Sequence, residues 1–345
     1  MTDTYLSGVA AYLPGEPIPV DRIATLFHLN AEWIAVNLGT SSVHLAFDFE
    51  RRQATETLCS MAAAAGQRAL RSAGIGPEDV DFVVLATATP DLLLPTTVNL
   101  AAERLGISGV PTFQLQCGCS GGLQAVQLAQ ALVRSGGHRR GLVLGGDIST
   151  KFLRSREECA RLSAAELVNY ALFGDGAGAA IVSASPLRNA WRLLHCGVVF
   201  EGIGREPGQQ LRWLGIARPD DAPAEAVSED YKAILRHVPA MTARALDHLF
   251  TTFGLGLADV RHYLLPQLSK HLSDRIRDRL GVPPERAVQC VEHIGNTGNA
   301  GPFAQLAAVD DRARADERLA IIAIESSKWL SASCLLQRMP DGAGS

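Results

Sequence analysis

Two short segments in opposite halves of the chain hold the residues best suited to covalent chemistry. In QCGCSGGLQAVQLA, Cys119 stands immediately before Ser120, Gly121 and Gly122 and a run with apolar residues at helical spacing. A thiolate is the nucleophilic form of cysteine, and the N-terminal amides and dipole of a helix favour negative charge. The position therefore predicts an ionised Cys119 able to attack an acyl thioester and carry the acyl group. The small residues after it leave room for a thioester carbonyl to approach both the sulfur and backbone N–H groups. The alternative is an inert cysteine packed in a tight turn. Cys117, two residues earlier, points the same way if the strand continues, but it lacks the helix N-terminus and reads as a core residue. The second segment, GNTGNAGP, carries Asn296, and His293 lies three residues before it on what reads as the same strand end.

The elements that would position these residues repeat. VDFVVLATA (80–88), TFQLQ (112–116) and GLVLGGD (141–147) are short, β-branched runs bounded by turn residues, and helical patterns ending at glycine lie between them. VRHYLLPQ (260–267), VQCVEHIGN (288–296), PFAQLAAVDDRARA (302–315) and ERLAIIAIE (317–325) follow the same order in the second half. About 35 residues separate the middle of the first strand from Cys119, and about 32 separate its counterpart from Asn296. The spacing puts both residues at equivalent strand-to-helix junctions of a layered α/β fold made of two similar halves, 1–185 and 186–345. Such junctions lie at the carboxyl ends of strands, where open α/β sheets bind ligands.

Composition removes other classes. Across 345 residues, 47% are hydrophobic and 20% charged, which suits a folded globule. A net charge of -4 gives no general attraction to nucleic acid. The N-terminus has no basic stretch before an apolar one, and no later run approaches the roughly 20 apolar residues of a membrane span, so a cytoplasmic location is expected. Seven scattered cysteines (59, 117, 119, 159, 196, 290 and 334) show no disulfide framework and no paired metal ligands, and a bound metal is not expected. EGIGREPGQQ lacks the spacing of a nucleotide loop and reads as surface, part of a polar stretch from about 203 to 226.

QCGCSGGLQAVQLA, FGDGAGAAIV and GNTGNAGP, in this order, resemble the β-ketoacyl-(acyl carrier protein) synthase III branch of the thiolase superfamily. AEWIAVNLG (31–39) and ATATPDLLLPTTVNLAAERLGI (86–107) extend the resemblance over almost the whole chain. It implies a five-layered αβαβα thiolase fold, a homodimer, and no tightly bound cofactor, with an acyl-CoA or phosphopantetheine-linked thioester as substrate. Cys119 is implied as the nucleophile and Asn296 as one of its two partners. Where the family has histidine, LLPQLSKHL places Gln267. A glutamine amide can donate to an enolate beside Asn296 but cannot act as a general base. His293, His271 and Glu325 are the substitutes at hand, His293 foremost.

Two more positions depart from the pattern. IESSKWLSA (324–332) has no glycine, and Glu325 falls where a backbone N–H joins that of Cys119 in the oxyanion hole; its side chain is expected to turn into solvent. Asn37 stands where the family has an arginine for coenzyme A, while Trp33 remains to stack on an adenine or pantetheine. Loss of that charge shifts weight toward an acyl carrier protein, which Arg275 and Arg279 could meet unless Asp274 and Asp278 pair with them. The leading expectation is an acyltransferase of polyketide-type metabolism that moves an acyl group from Cys119 to a hydroxyl, an amine or a second carrier. The alternatives are a condensing enzyme acting on a malonyl-type or β-keto thioester with Gln267 and Asn296 as donors, and a non-catalytic scaffold partner.

Overall fold

The computed structural model describes residues 3–152, 164–211 and 227–340; Cys159 and residues 212–226 of the polar stretch lie outside them. The frame is a nine-stranded sheet. Five strands come from the first half: β1 (Tyr5–Tyr12), β2 (Phe82–Thr87), β3 (Thr112–Gln116), β4 (Arg140–Asp147) and β5 (Gly176–Ser183). The second half supplies β6 (Trp191–Phe200), β7 (His262–Leu264), β8 (Arg318–Glu325) and β9 (Leu330–Arg338). Their order across the sheet is β7-β8-β9-β6-β1-β5-β4-β2-β3.

The two halves meet where β1 and β6 run antiparallel, with Tyr5 opposite Arg192 and Leu6 opposite Trp191. Outward from that seam, β1 is antiparallel to β5, β5 to β4, and β4 is parallel to β2. On the other side β6 is antiparallel to β9, β9 to β8, and β8 is parallel to β7. The parallel pairing of β2 with β3 has its counterpart in a single bridge between Tyr263 and Ala287.

Strand periodicity sorts the side chains into layers, because alternate residues face opposite sides of a sheet. Val83, Leu85, Leu142, Leu144, Ala179 and Ile181 pack under α1 (Leu58–Ala73) and α2 (Thr97–Leu105). Phe82, Val84, Ala86, Val143 and Val182 face the centre, where α3 (Gly121–Arg134) meets Leu319, Ile321 and Ala323 of the second half. Ala320, Ile322 and Ile324 turn to α4 (Tyr231–Phe253) and α5 (Lys270–Leu280). With α6 (Gly301–Asp310) joining α3 in the centre, the layers run α, β, α, β, α, which is the thiolase fold. Because both faces of each central strand are covered, these strands read as unbroken apolar runs.

The glycine-rich FGDGAGAAIV segment becomes β5, and its composition has a packing cause. A Cβ on Gly178 would sit 2.3 Å from Phe303 Cβ of α6, so only glycine lets that helix lie on the strand. Asp175 holds the loop ends at the mouth of the sheet. One carboxylate oxygen accepts from Ser149 N at 2.6 Å and the other from Ala46 N at 2.7 Å.

Candidate active site

β3 ends at Gln116, and the chain turns through Gly118, whose carbonyl accepts from Gly121 N at 2.8 Å, before α3 begins at Gly121. Cys119 occupies this turn, two residues before the first helical residue. A Cβ on Gly121 would meet Cys117 Sγ at 2.2 Å and Asn299 Oδ1 at 2.3 Å, so glycine is required for the turn to close against its neighbours. Cys119 opens onto a cavity of about 740 Å³ whose wall includes Cys117, Asp147, Gln209, Asn296, Glu325 and Ser327. Cys117, read as a core residue, both packs against the central core and reaches that cavity.

The resting state of Cys119 differs from the expected thiolate. Burial pushes its thiol up to about 12, and the carboxylates of Asp147, Glu325 and Glu229 push in the same direction. A helix terminus contributes about 0.3–1 kcal/mol to a nearby charge, too little to offset desolvation and three anions. Burial and these charges therefore favour the S–H form of Cys119 over the expected thiolate.

Asn296 is buried in the cavity wall, at the start of the turn into α6. Its Oδ1 accepts from Gly298 N at 3.0 Å, which fixes the amide plane, and its backbone N–H is held by Leu172 O at 2.8 Å. Among the described residues no protein acceptor engages Nδ2, so this donor is available to a substrate. The structure thus brings Asn296 and Cys119, from opposite halves, to one cavity.

Glu325, expected to face solvent, is instead buried at the carboxyl end of β8. Its Oε2 accepts from Ser120 Oγ at 2.6 Å and its Oε1 from Ser327 Oγ at 2.5 Å. Two hydroxyl donors offset part of the cost of burying the carboxylate.

Other expected site residues lie elsewhere. Gln267 is not among the residues lining the cavity. Its Oε1 accepts from Cys290 N at 2.8 Å and Val291 N at 3.0 Å, capping the short helix Val291–Ile294, and its Nε2 faces Leu265 O at 3.4 Å. That helix replaces the expected strand end, and it exposes His293, whose Nδ1 shares a 2.8 Å hydrogen bond with Ser41 Oγ. His293 does not line the cavity. His271 Nε2 bonds Ala35 O at 3.2 Å on the helix Ala31–Asn37. On that helix Asn37 Nδ2 donates to Trp33 O at 2.8 Å, and Trp33 is 44% exposed. Asp274 pairs with Lys270 and Arg277, and Asp278 with Arg277, so Arg275 and Arg279 stand exposed with no ion pair among the described residues.

Two carboxyls were not singled out from the sequence. Asp147, the last residue of β4, accepts from Thr87 Oγ1, Ala88 N and Thr89 Oγ1 on one oxygen and from Asn299 N and Nδ2 on the other, at 2.8–3.1 Å. Burial pushes its acid up while these donors pull it back. A lone aspartate ending an apolar strand at the ligand-binding edge was the available signal. Glu229 belongs to a two-stranded ribbon of Gln209–Leu211 and Val227–Glu229, and nothing in its polar surroundings in the sequence marked it. Among the described residues no group of three or more His, Cys, Asp or Glu side chains forms a metal site, and no helix is long and apolar enough to cross a membrane.

A five-layered duplicated fold with a cysteine at one strand-to-helix junction, and an asparagine from the other half beside it, defines an enzyme class that works on acyl thioesters. Residues 113–199 match the family described as 3-oxoacyl-[acyl-carrier-protein] synthase III, and residues 250–329 match its C-terminal part. The chain is 31% identical over 314 residues to the β-ketoacyl-[acyl-carrier-protein] synthase III of Acidiphilium cryptum (strain JF-5), covering 90% of this chain and 92% of that one. It belongs to the β-ketoacyl-[acyl-carrier-protein] synthase III family of condensing and acyl-transferring enzymes. Among solved structures it resembles AbyA1, a tetronic acid condensing enzyme, with 39% identity, a TM-score of 0.92, and 97% and 99% of the two chains covered. It also resembles the priming β-ketosynthase of the R1128 polyketide pathway, with 25% identity, a TM-score of 0.80, and 98% and 96% covered.

Proposed function

We propose that the chain takes an acyl group from a carrier-protein or coenzyme A thioester onto Cys119 and joins it to the acidic carbon of a neutral β-keto thioester, in the assembly of a polyketide-type metabolite. In the first half-reaction the Cys119 sulfur bonds to the donor carbonyl carbon, and the donor thiol leaves with the proton. In the second, the carbon between the keto and thioester groups gives its proton to the Glu325 carboxylate and attacks the acyl carbonyl. The Cys119 sulfur then departs and recovers the proton. Asn296 Nδ2 donates to the enolate oxygen, and the backbone N–H groups of Cys119 and Glu325 serve the acyl oxyanion.

The observation that carries the choice of acceptor is the charge of the wall. Asp147 and Glu325 line the cavity, and among the described residues no Lys, Arg or His lines it. A malonyl carboxylate would enter against two anions with no cation to hold it, whereas a β-keto thioester brings no charge and needs the base that Glu325 supplies. AbyA1 is a tetronic acid condensing enzyme, and condensation agrees with carbon–carbon bond formation. Transfer to a hydroxyl, the second reading, is favoured by the same carboxylate base.

For the donor, exposed Trp33 and the unpaired Arg275 and Arg279 offer a stacking ring and two cations to an acyl carrier protein. His271, at the start of α5, bonds the helix that bears Trp33, so the three residues belong to neighbouring elements. Leu92, Leu93 and Leu94, exposed by 48, 63 and 82%, are the apolar surface we assign to a second copy in a homodimer; Leu93 also lines the cavity.

Intact-mass spectrometry with acyl thioesters tests the first half-reaction, and the adduct should disappear in Cys119→Ala. Offering the acyl-enzyme a β-keto thioester or a malonyl thioester tests the second. The expected product is a carbon-acylated β-keto thioester without CO2. Release of CO2 from malonyl thioester in step with product would overturn the reading.

A further inference from the structure

Three carboxyls raise the Cys119 thiol, and two of them have donors on both oxygens. Asp147 accepts from backbone, hydroxyl and amide groups, and Glu325 from two hydroxyls. Glu229 differs. It is the register partner of Gln209 in the ribbon, and its Oε1 accepts from Gln209 Nε2 at 2.6 Å. Its Oε2 is buried with no partner among the described residues, and neither has the buried Tyr231 hydroxyl two positions on. Gln209 forms part of the cavity wall, and Glu229 holds its amide.

We propose that Glu229 is a positioning residue whose own protonation sets which end of the Gln209 amide faces the acyl and acceptor groups in the Cys119 cavity. The proposal rests on the reading of this cavity as the site of acyl transfer. An ionised carboxylate only accepts hydrogen bonds, so Gln209 must turn its NH2 toward Glu229 and leave its carbonyl oxygen for the cavity. A protonated Glu229 donates, and the amide can turn over to hold that O–H with its oxygen, leaving NH2 donors for the cavity. The proton exchanges with solvent and no other bond changes.

Burial lifts the Glu229 acid to about 7, with the Gln209 donor opposing it, so both forms are populated near neutral pH. The titratable groups its charge acts on are Tyr231 on its own segment and the Cys119 thiol, with Asp147 and Glu325 also bearing on that thiol. Among the described residues no cation faces it.

The test compares wild type with Glu229→Gln, which keeps the shape and cannot ionise. Preformed acyl-enzyme is mixed with a β-keto thioester from about pH 6 to about pH 8. The wild-type rate should change by about tenfold through an inflection near 7, and the variant should give a flat profile. In parallel, infrared spectroscopy of the substrate-free protein should show a protonated-carboxyl band titrating near neutral pH in wild type and absent from the variant. An inflection retained by Glu229→Gln, or a band that persists in it, overturns the proposal. If the wild type forms no adduct on Cys119, the acyl-transfer reading fails, and the infrared titration still decides whether Glu229 holds a proton.

Discussion

Glu325 and Ser120, 205 positions apart in the chain, share a 2.6 Å hydrogen bond beside Cys119. Ser120 is the N-cap of α3 yet makes no side-chain cap to its own helix. Its hydroxyl is spent on the carboxylate at the end of β8, which ties the cysteine turn to the second half and holds a negative charge close to the sulfur.

Glu325→Gln should therefore make Cys119 easier to ionise. The amide oxygen can still accept from Ser120, but one of the charges that lift the thiol is gone. Iodoacetamide should alkylate Cys119 about tenfold faster near pH 9 than in wild type, with the midpoint falling below 12. An unchanged or slower reaction would mean that burial alone sets the thiol. The same variant should lose the second half-reaction if Glu325 is the base.

Asp147 supports a different prediction, about stability. Its carboxylate gathers β2, β4 and the turn at Asn299, and a Cβ on Gly298, already at φ +54, would lie 2.2 Å from Oδ2. Asp147→Ala strands several buried donors at once and should cost about 3–5 kcal/mol in urea unfolding, or prevent folding. Asp147→Asn, which keeps the volume and one acceptor, should cost less. Equal and small losses in both would show that the donors find other partners.

Much of this architecture could be read from residue order. The runs at 80–88 and 141–147 become β2 and β4 because both faces of those strands are buried, leaving no polar alternation to confuse the period, whereas 112–116 becomes the half-buried edge strand β3, whose Gln114 and Gln116 alternate with apolar residues. Cys119 and Asn296 converge because each sits in a turn of small residues ahead of a central helix, Cys119 after β3 and Asn296 after the short helix Val291–Ile294. What stayed hidden depends on side-chain partners. Gln267 sits beyond β7 as the spacing implies, but a residue type does not say whether its amide faces a cavity or the free N–H groups of Cys290 and Val291. Glu325 looked like a surface carboxylate because the two hydroxyls that bury it are those of Ser120, far away in sequence, and Ser327, whose orientation depends on the turn after β8. His293 was placed by strand periodicity, and four residues of helix, Val291–Ile294, were enough to point it outward.

Gln267→Ala follows from that correction. Removing a side-chain oxygen that accepts from two N–H groups at a helix start should cost about 1 kcal/mol, read as a lowered unfolding midpoint. Formation of the Cys119 adduct should be unaffected, since Gln267 does not line the cavity. Loss of condensation at unchanged stability would return Gln267 to the enolate site.

Asn296 offers the opposite separation. Its Oδ1 is committed to Gly298 N, so in the proposed reaction its contribution is the Nδ2 donor, which serves the enolate and not thioester exchange. Asn296→Ala should load Cys119 and then stall, with the second half-reaction slowed by about 10²–10³-fold. Rapid-quench measurement of each half-reaction would show it, and an equal loss in both steps would argue for a collapsed cavity instead.

Glu229 makes a prediction about stability and pH that does not depend on substrate. Its acid is raised from 4.5 to about 7 in the folded protein, so between those values the folded chain holds a proton that the unfolded chain has released. Stability from this group therefore falls as pH rises through that window, by up to about 3 kcal/mol between pH 5 and pH 8. Glu229→Gln removes the titration. It should leave the unfolding midpoint close to wild type near pH 5 and raise it above wild type near pH 8, as followed by thermal unfolding across the range. A variant less stable than wild type at pH 8 would mean that the carboxylate is satisfied in the folded state, and the buried, unpartnered Oε2 would have to have found a donor.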